Sequence, residues 1–292
     1  MAFPPLESDN WQTTIQALHQ ATMLYGPIHN ALRVHQNNYL HLPVFGTPDG
    51  LSSGQYANQA QLDLNFRDGT MIYSDSAGQQ QVFSLADHTQ ASLLDAVLEV
   101  MRADVLAEFF ETRSEQPLIN YLLDTIRADE SKTVFLQLDD VTGSQSLAHD
   151  RELATAYAEA LDTVLTGVAR FRARLGGHLT PIVVWSEHFD LSTLWFADPE
   201  MDEHQTHINI GFAPYTPDLF DYPYLYAYLY PYPDGFIPNN LPSGAQWRTE
   251  GFKGVVVPYD ALVKAHDPIE LVEHLSRDIF DALYQGVLRL RR

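Results

Sequence analysis

The 292-residue chain contains no cysteine. That absence excludes disulfides, thiolate zinc sites, iron–sulfur clusters and cysteine nucleophiles, so any metal has to be held by His and carboxylate. Basic residues are scarce. Seventeen Lys and Arg stand against 38 Asp and Glu, for a formal net charge of −21. A field of that sign repels nucleic-acid phosphates and anionic lipid, so neither nucleic acid nor membrane is an expected partner. No apolar run approaches the roughly 20 residues that a membrane span needs. The opening Met1-Ala2-Phe3-Pro4-Pro5-Leu6-Glu7 has neither the basic nor the apolar region of a signal peptide. A cytoplasmic protein is the expectation. Walker, dinucleotide-binding and zincin patterns are missing too, which leaves no nucleotide-binding motif and no cofactor assignment beyond a divalent metal on His and carboxylate.

What is present is apolar residues enough for a sizeable core: 45% of the chain is hydrophobic. Four segments have helical periodicity. The first carries Trp11, Ile15, Leu18 and Tyr25, with an Asp9/Gln12 capping box and a Gly26-Pro27 stop. The second runs from about Ser92 to Phe109, and the third places Leu153, Tyr157, Leu161, Val164, Val168, Phe171 and Leu175 on one face. The fourth opens with Asp267-Pro268 and Glu270, a cap, a first-turn proline and a capping-box partner. Strand patterns fall at Leu40–Phe45, Leu62–Phe66, Met71–Tyr73, Gln81–Leu85, Thr133–Leu138, Ile182–Trp185, His207–Phe212, Leu225–Tyr230 and Gly254–Val257. Short turns outnumber helical crossovers, so the fold class is α+β, an antiparallel sheet covered by amphipathic helices in one compact domain over 1–292. Val44-Phe45 followed by Leu51-Ser52-Ser53 is echoed by Val184-Trp185 followed by Leu191-Ser192-Thr193. The echo suggests a duplicated α-β4-α unit with halves 1–130 and 149–292.

Trp11, Gly50-Leu51, Thr180-Pro181, Phe189-Asp190-Leu191, Gly211-Phe212, the run Tyr228-Leu229-Tyr230-Pro231-Tyr232-Pro233-Asp234-Gly235-Phe236, Pro258-Tyr259-Asp260 and Asp267-Pro268 together form a pattern. On these residues the chain resembles a bacterial family catalogued only as a domain of unknown function. The resemblance spans nearly the whole length, with the tyrosine–proline run its most specific part. It departs from the family after Thr180-Pro181, where Val183-Val184-Trp185-Ser186-Glu187 replaces a stretch with a His and paired aromatics. The family implies no activity.

Three constellations are candidates for chemistry. Gly50-Leu51-Ser52-Ser53-Gly54 fits the nucleophile-elbow spacing, yet Pro48-Asp49-Gly50 reads as a turn with no helix after it, so a loop is expected there. His188-Phe189-Asp190, with His204 or His207 as a third ligand, fits a facial metal site, the basis of a metal-dependent enzyme. The acidic run Asp198, Glu200, Asp202 and Glu203 reads as a solvated loop, and Asp139-Asp140 with His149-Asp150 as an acid–base pair or a helix start. The third constellation is aromatic. Between Tyr222 and Tyr232 tyrosine alternates with other residues, so a strand puts the rings on one face. Tyr226, Tyr228 and Tyr230, with Trp185 or Trp247 opposite and Asp190 as polar contact, are the expected lining of a cleft for a small flat or sugar-like ligand. The alternative is that the same aromatic strand mediates self-association, the chain being a monomer or a homodimer. Whether the chain is an enzyme is open at this point.

Overall fold

The computed structural model describes residues 2–6, 8–111, 117–128 and 141–291. The expected strand Thr133–Leu138 and the pair Asp139-Asp140 lie outside the described residues. The fold is α+β with antiparallel sheets. The chain divides into two compact units, one comprising Glu7–Ala158 with Val184–Phe189, the other Met1–Leu6, Glu159–Val183 and Asp190–Arg292.

In the first unit, α1 (Trp11–Met23) and α2 (Tyr25–Leu32) follow almost without a break. Gly26-Pro27 was expected to stop the first helix. Instead Pro27 lies in the first turn of α2, where a missing N–H forfeits no helical hydrogen bond, and the chain continues as helix. The cap position also falls one residue past the expected Asp9. Asn10 takes the cap position in the helical region of backbone space, without a side-chain cap bond, and Trp11 N–H donates to Ser8 O at 3.0 Å. Five strands then form a simple meander: β1 (Phe45–Thr47), β2 (Gly50–Gln55), β3 (Gln61–Asn65), β4 (Thr70–Ser74) and β5 (Gln80–Ser84). Leu40–Val44 is not a strand, although Val44 bridges Val184 antiparallel. The nucleophile-elbow match is not a loop but β2, with Ser52 and Ser53 buried, because Pro48-Asp49 is a hairpin turn joining it to β1. Ser53 Oγ accepts the Leu62 N–H at 2.9 Å, a sheet contact.

α3 (Gln90–Arg102) starts on a Thr89/Ser92 capping box and stops seven residues before Phe109. Beyond it Asp104 gathers the Tyr73 hydroxyl at 2.6 Å, the Asn58 amide at 2.8 Å and Ser76 N–H at 3.0 Å, so the chain turns back to the sheet instead of extending. α4 (Leu118–Arg127) buries Leu118, Leu122, Leu123 and Ile126 on one face. The aliphatic core of this unit holds an aromatic cluster: Trp11 meets Tyr157 edge-on, Tyr157 stacks on Phe66, and Phe189 stacks on His19.

α5 (Arg151–Arg172) begins where Asp150 Oδ1 accepts the N–H groups of Glu152 and Leu153 at 3.0 and 3.2 Å, so His149-Asp150 serves as a helix start. The second unit is built on a sheet ordered β11 (Gln246–Arg248), β12 (Gly254–Pro258), β10 (Tyr224–Tyr230), β9 (His207–Ala213), β8 (Asp190–Phe196), β6 (His178–Leu179), while β7 (Val183–Trp185), most of it in the first unit, precedes β8 in the chain. α6 (Pro268–Leu290) starts on the expected signals: Asp267 Oδ1 accepts the Glu270 N–H at 3.0 Å, and Pro268 occupies the first turn. Gly167 of α5 lies so close to Val272 of α6 that a Cβ would come within 2.6 Å of it. Arg174 closes the same contact by pairing with buried Glu273 at 2.7 Å.

The neighbour order β2–β3–β4–β5 of the first sheet is matched by β8–β9–β10–β12 in the second, with β6 and β11 at its edges. α1–α2 spans 11–32 and α5 spans 151–172, while β2 opens at Gly50 and β8 at Asp190, each pair 140 residues apart.

Candidate functional site

The pairing register of the second sheet sorts its residues onto two faces. Ser192, Gly211, Tyr226, Val256 and Gln246 lie in one row, and Leu194, Asn209 and Tyr228 in the next row of the same face. Leu191, Phe212, Leu225 and Val257 define the other face. That second face is apolar and carries α6: Trp195 meets Phe280 and Tyr284 edge-on, and Gly286 admits Leu229.

The first face is different. Tyr224, Tyr226, Tyr228 and Tyr230 stand along β10, beside His207, Asn209, Gly211 and Ala213 on β9 and Asp190 and Ser192 on β8. Polar side chains in such positions are ordinarily solvent-facing, yet Asp190, Ser192, His207 and Asn209 are all at most 8% exposed. Tyr226 explains part of this. Its ring crosses β9 over Gly211, whose missing Cβ would stand 2.5 Å from the phenol, and its hydroxyl donates to Asp190 Oδ2 on β8. Burial, reinforced by the neighbouring Asp190, pushes the Tyr226 hydroxyl far above its ordinary range, so it stays a donor. The Tyr228 ring lies parallel to that of Tyr226, with centroids 6.4 Å apart, and both meet Phe252 edge-on. Tyr224 shares a hydrogen bond with Thr216.

Asn209 Nδ2 donates to the Tyr228 hydroxyl at 3.1 Å. The bond uses an acceptor lone pair of Tyr228 and leaves its O–H proton available. Asn209 Oδ1 is buried and has no hydrogen-bond partner among the described residues. His207 Nδ1 lies 2.9 Å from Gln205 O, and a carbonyl only accepts, so the proton is on Nδ1 and Nε2 carries the lone pair. Burial lowers the pKa of this imidazole and keeps it neutral. Its ring stacks on Tyr230, 44% exposed at the outer end of the strand.

Placement of the other expected residues differs. Trp247 pairs with Val255 and therefore stands on the opposite face from Tyr226 and Tyr228, stacked on Tyr232 at 5.3 Å. It cannot close a cleft over the tyrosines, because side chains alternate between faces and Trp247 is one residue out of phase with Gln246. Trp185 belongs to the other unit, half-buried, its carbonyl accepting Phe189 N–H at 2.8 Å. The expected metal ligands are engaged separately. His188 is exposed, Asp190 takes the Tyr226 hydroxyl, His204 stands in a solvent-facing turn 3.9 Å from Glu203, and His207 is bound to Gln205. Among the described residues no group of three or more His, Asp and Glu side chains is arranged to hold a metal ion. The acidic run is structural in part, since Asp198 pairs with Arg291 at 3.3 Å. Of the residues on this face, Asn209 has no role in the sequence reading, while Ser192 enters only through the strand echo and Gly211 only through the family pattern. The signal was the alternation of His, Asn, Gly and Ala with Ile, Ile and Phe along 207–213, which marks one apolar and one polar face.

A family model described as a family of unknown function (DUF5996) matches residues 3–285. No curated protein and no solved structure matches the chain.

Proposed function

We propose that this chain, which belongs to DUF5996, a family of unknown function, binds a small hydroxyl-bearing, sugar-like ligand on the tyrosine face of its second sheet. The observation that carries the reading is Asn209, whose Oδ1 is buried without a hydrogen-bond partner among the described residues, beside a Tyr228 hydroxyl that has a proton to give. A lone acceptor in such a place costs about 1–3 kcal/mol unless something supplies a donor. A single ligand hydroxyl answers both groups, donating to Asn209 Oδ1 and accepting from Tyr228. The exposed side of the Tyr228 and Tyr230 rings offers the flat apolar surface that a sugar ring needs. His207, neutral with its Nε2 lone pair, stands at the same end of the strand and would accept from a second hydroxyl.

The test is isothermal titration with glucose, ribose and myo-inositol against the wild type and two variants. Tyr228→Phe removes a hydroxyl and keeps the ring, so it should weaken binding about tenfold; because it also leaves the Asn209 Nδ2 donor without its acceptor, thermal stability is measured alongside and a modest loss is expected. Asn209→Leu fills the same volume without the acceptor and should abolish binding. Heats absent for all three probes, or affinity unchanged in both variants, would sink the reading.

A further inference from the structure

The outer side of α6 is the second feature that the packing leaves unexplained. Its inner side meets the sheet through Phe280, Tyr284 and Gly286. Its outer side, from Asp278 to Arg289, borders an open groove of about 630 Å3 whose other wall is the loop at Phe236, Asn239 and Asn240. Large apolar side chains stay exposed at this end of the molecule: Ile237 at 62%, Leu288 at 37% and Leu290 at 39%. Asp278, Asp281, Gln285 and Leu288 follow one another at steps of three, four and three, the spacing of a helix-pairing seam. Asp281 and Arg289 are exposed, and among the described residues neither is in an ion pair within the chain; the Arg289 guanidinium lies 5.4 Å above the Phe236 ring.

The seam is complementary to itself. Set antiparallel about a two-fold axis through Gln285, Asp281 stands opposite the partner's Arg289, and Arg289 opposite the partner's Asp281. The two Gln285 amides face each other, able to exchange hydrogen bonds. Two molecules of net charge −21 repel at a distance, so a like–like contact needs a local patch that carries both signs. This patch carries both. We propose that the outer face of α6 is a self-association surface and that its occupant is the same face of a second copy of this chain.

The two-fold symmetry makes the proposal testable by charge exchange. Sedimentation of the full chain from about 1 to about 200 µM should show a reversible monomer–dimer equilibrium. Asp281→Arg alone, or Arg289→Asp alone, places like charges opposite each other twice and should raise the dimer dissociation constant about tenfold or more. The double variant Asp281→Arg/Arg289→Asp restores opposite signs across the axis and should recover the dimer. Circular dichroism checks that each variant is folded, which these exposed positions permit. A chain that stays monomeric throughout, a dimer indifferent to both single reversals, or a folded double variant that fails to recover would each overturn the proposal.

Discussion

Gly211 is where the tyrosine face depends on the absence of a side chain. A Cβ at this position would stand 2.5 Å from the Tyr226 phenol and 2.6 Å from Leu191 O, and neither neighbour can give way, the phenol being held by Asp190 and the carbonyl by the sheet. Gly211→Ala should therefore cost about 1–3 kcal/mol, measured as a lower denaturant midpoint, through strain and through separation of Tyr226 from Asp190. An unchanged midpoint would show that the ring does not need to cross the strand there. The tyrosine alternation was legible in sequence because it needs only the two-residue period of a strand. The Asp190 contact was not, because it joins residues 36 positions apart in the chain and two strands apart in the sheet.

At the scale of the element, helix starts were more legible than helix ends. Asp267-Pro268-Glu270 forms the cap its residues announce, since every atom involved lies within one turn. Removing the carboxylate in Asp267→Ala should lower stability by about 1 kcal/mol, read from thermal or denaturant unfolding; a neutral result would mean that packing against Gly167 holds the first turn unaided. Gly26-Pro27 shows the opposite case. The same dipeptide stops one helix or begins another depending on whether the following residues can be buried, and Ile28, His29 and Asn30 are buried. Periodicity does not mark β2 and β8, because Ser52, Ser53, Ser192 and Thr193 dilute the apolar alternation of a strand. Pairing on both sides makes them interior strands of their sheets regardless.

For the whole molecule, pH is the global variable that its buried histidines make consequential. His19 is stacked on Phe189, and burial, opposed by its bond to Glu187 O, lowers its pKa to about 4; burial lowers those of His29 and His207 as well. A histidine whose folded pKa lies below its unfolded value of about 6.5 leaves the unfolded chain binding the extra proton. The stability it contributes is intact above about pH 6.5 and is lost as pH falls toward 4. His19 alone should account for up to about 1 kcal/mol per pH unit in that window. Unfolding midpoints measured from pH 7.5 to pH 4.5 should decline, and the decline should be shallower in His19→Gln. A flat profile, or one that His19→Gln leaves unaltered, would contradict this account.

The α+β class, the capped start of α6, the β9, β10 and β12 strands and the one-faced tyrosines all follow from the sequence by itself, because each rests on backbone periodicity or on groups within a turn of one another. Composition likewise settled the exclusion of cysteine chemistry. Only the tertiary structure decided that Trp247 faces away from the tyrosines, that the expected metal ligands are engaged separately, and that Asn209 is left with a buried acceptor beside Tyr228. It also decided that an ordinary amphipathic helix, α6, presents a groove on its outer side. These depend on which strand lies beside which and in what register. That is a consequence of long-range packing, where a shift of one residue would reverse every face, and no local pattern carries it.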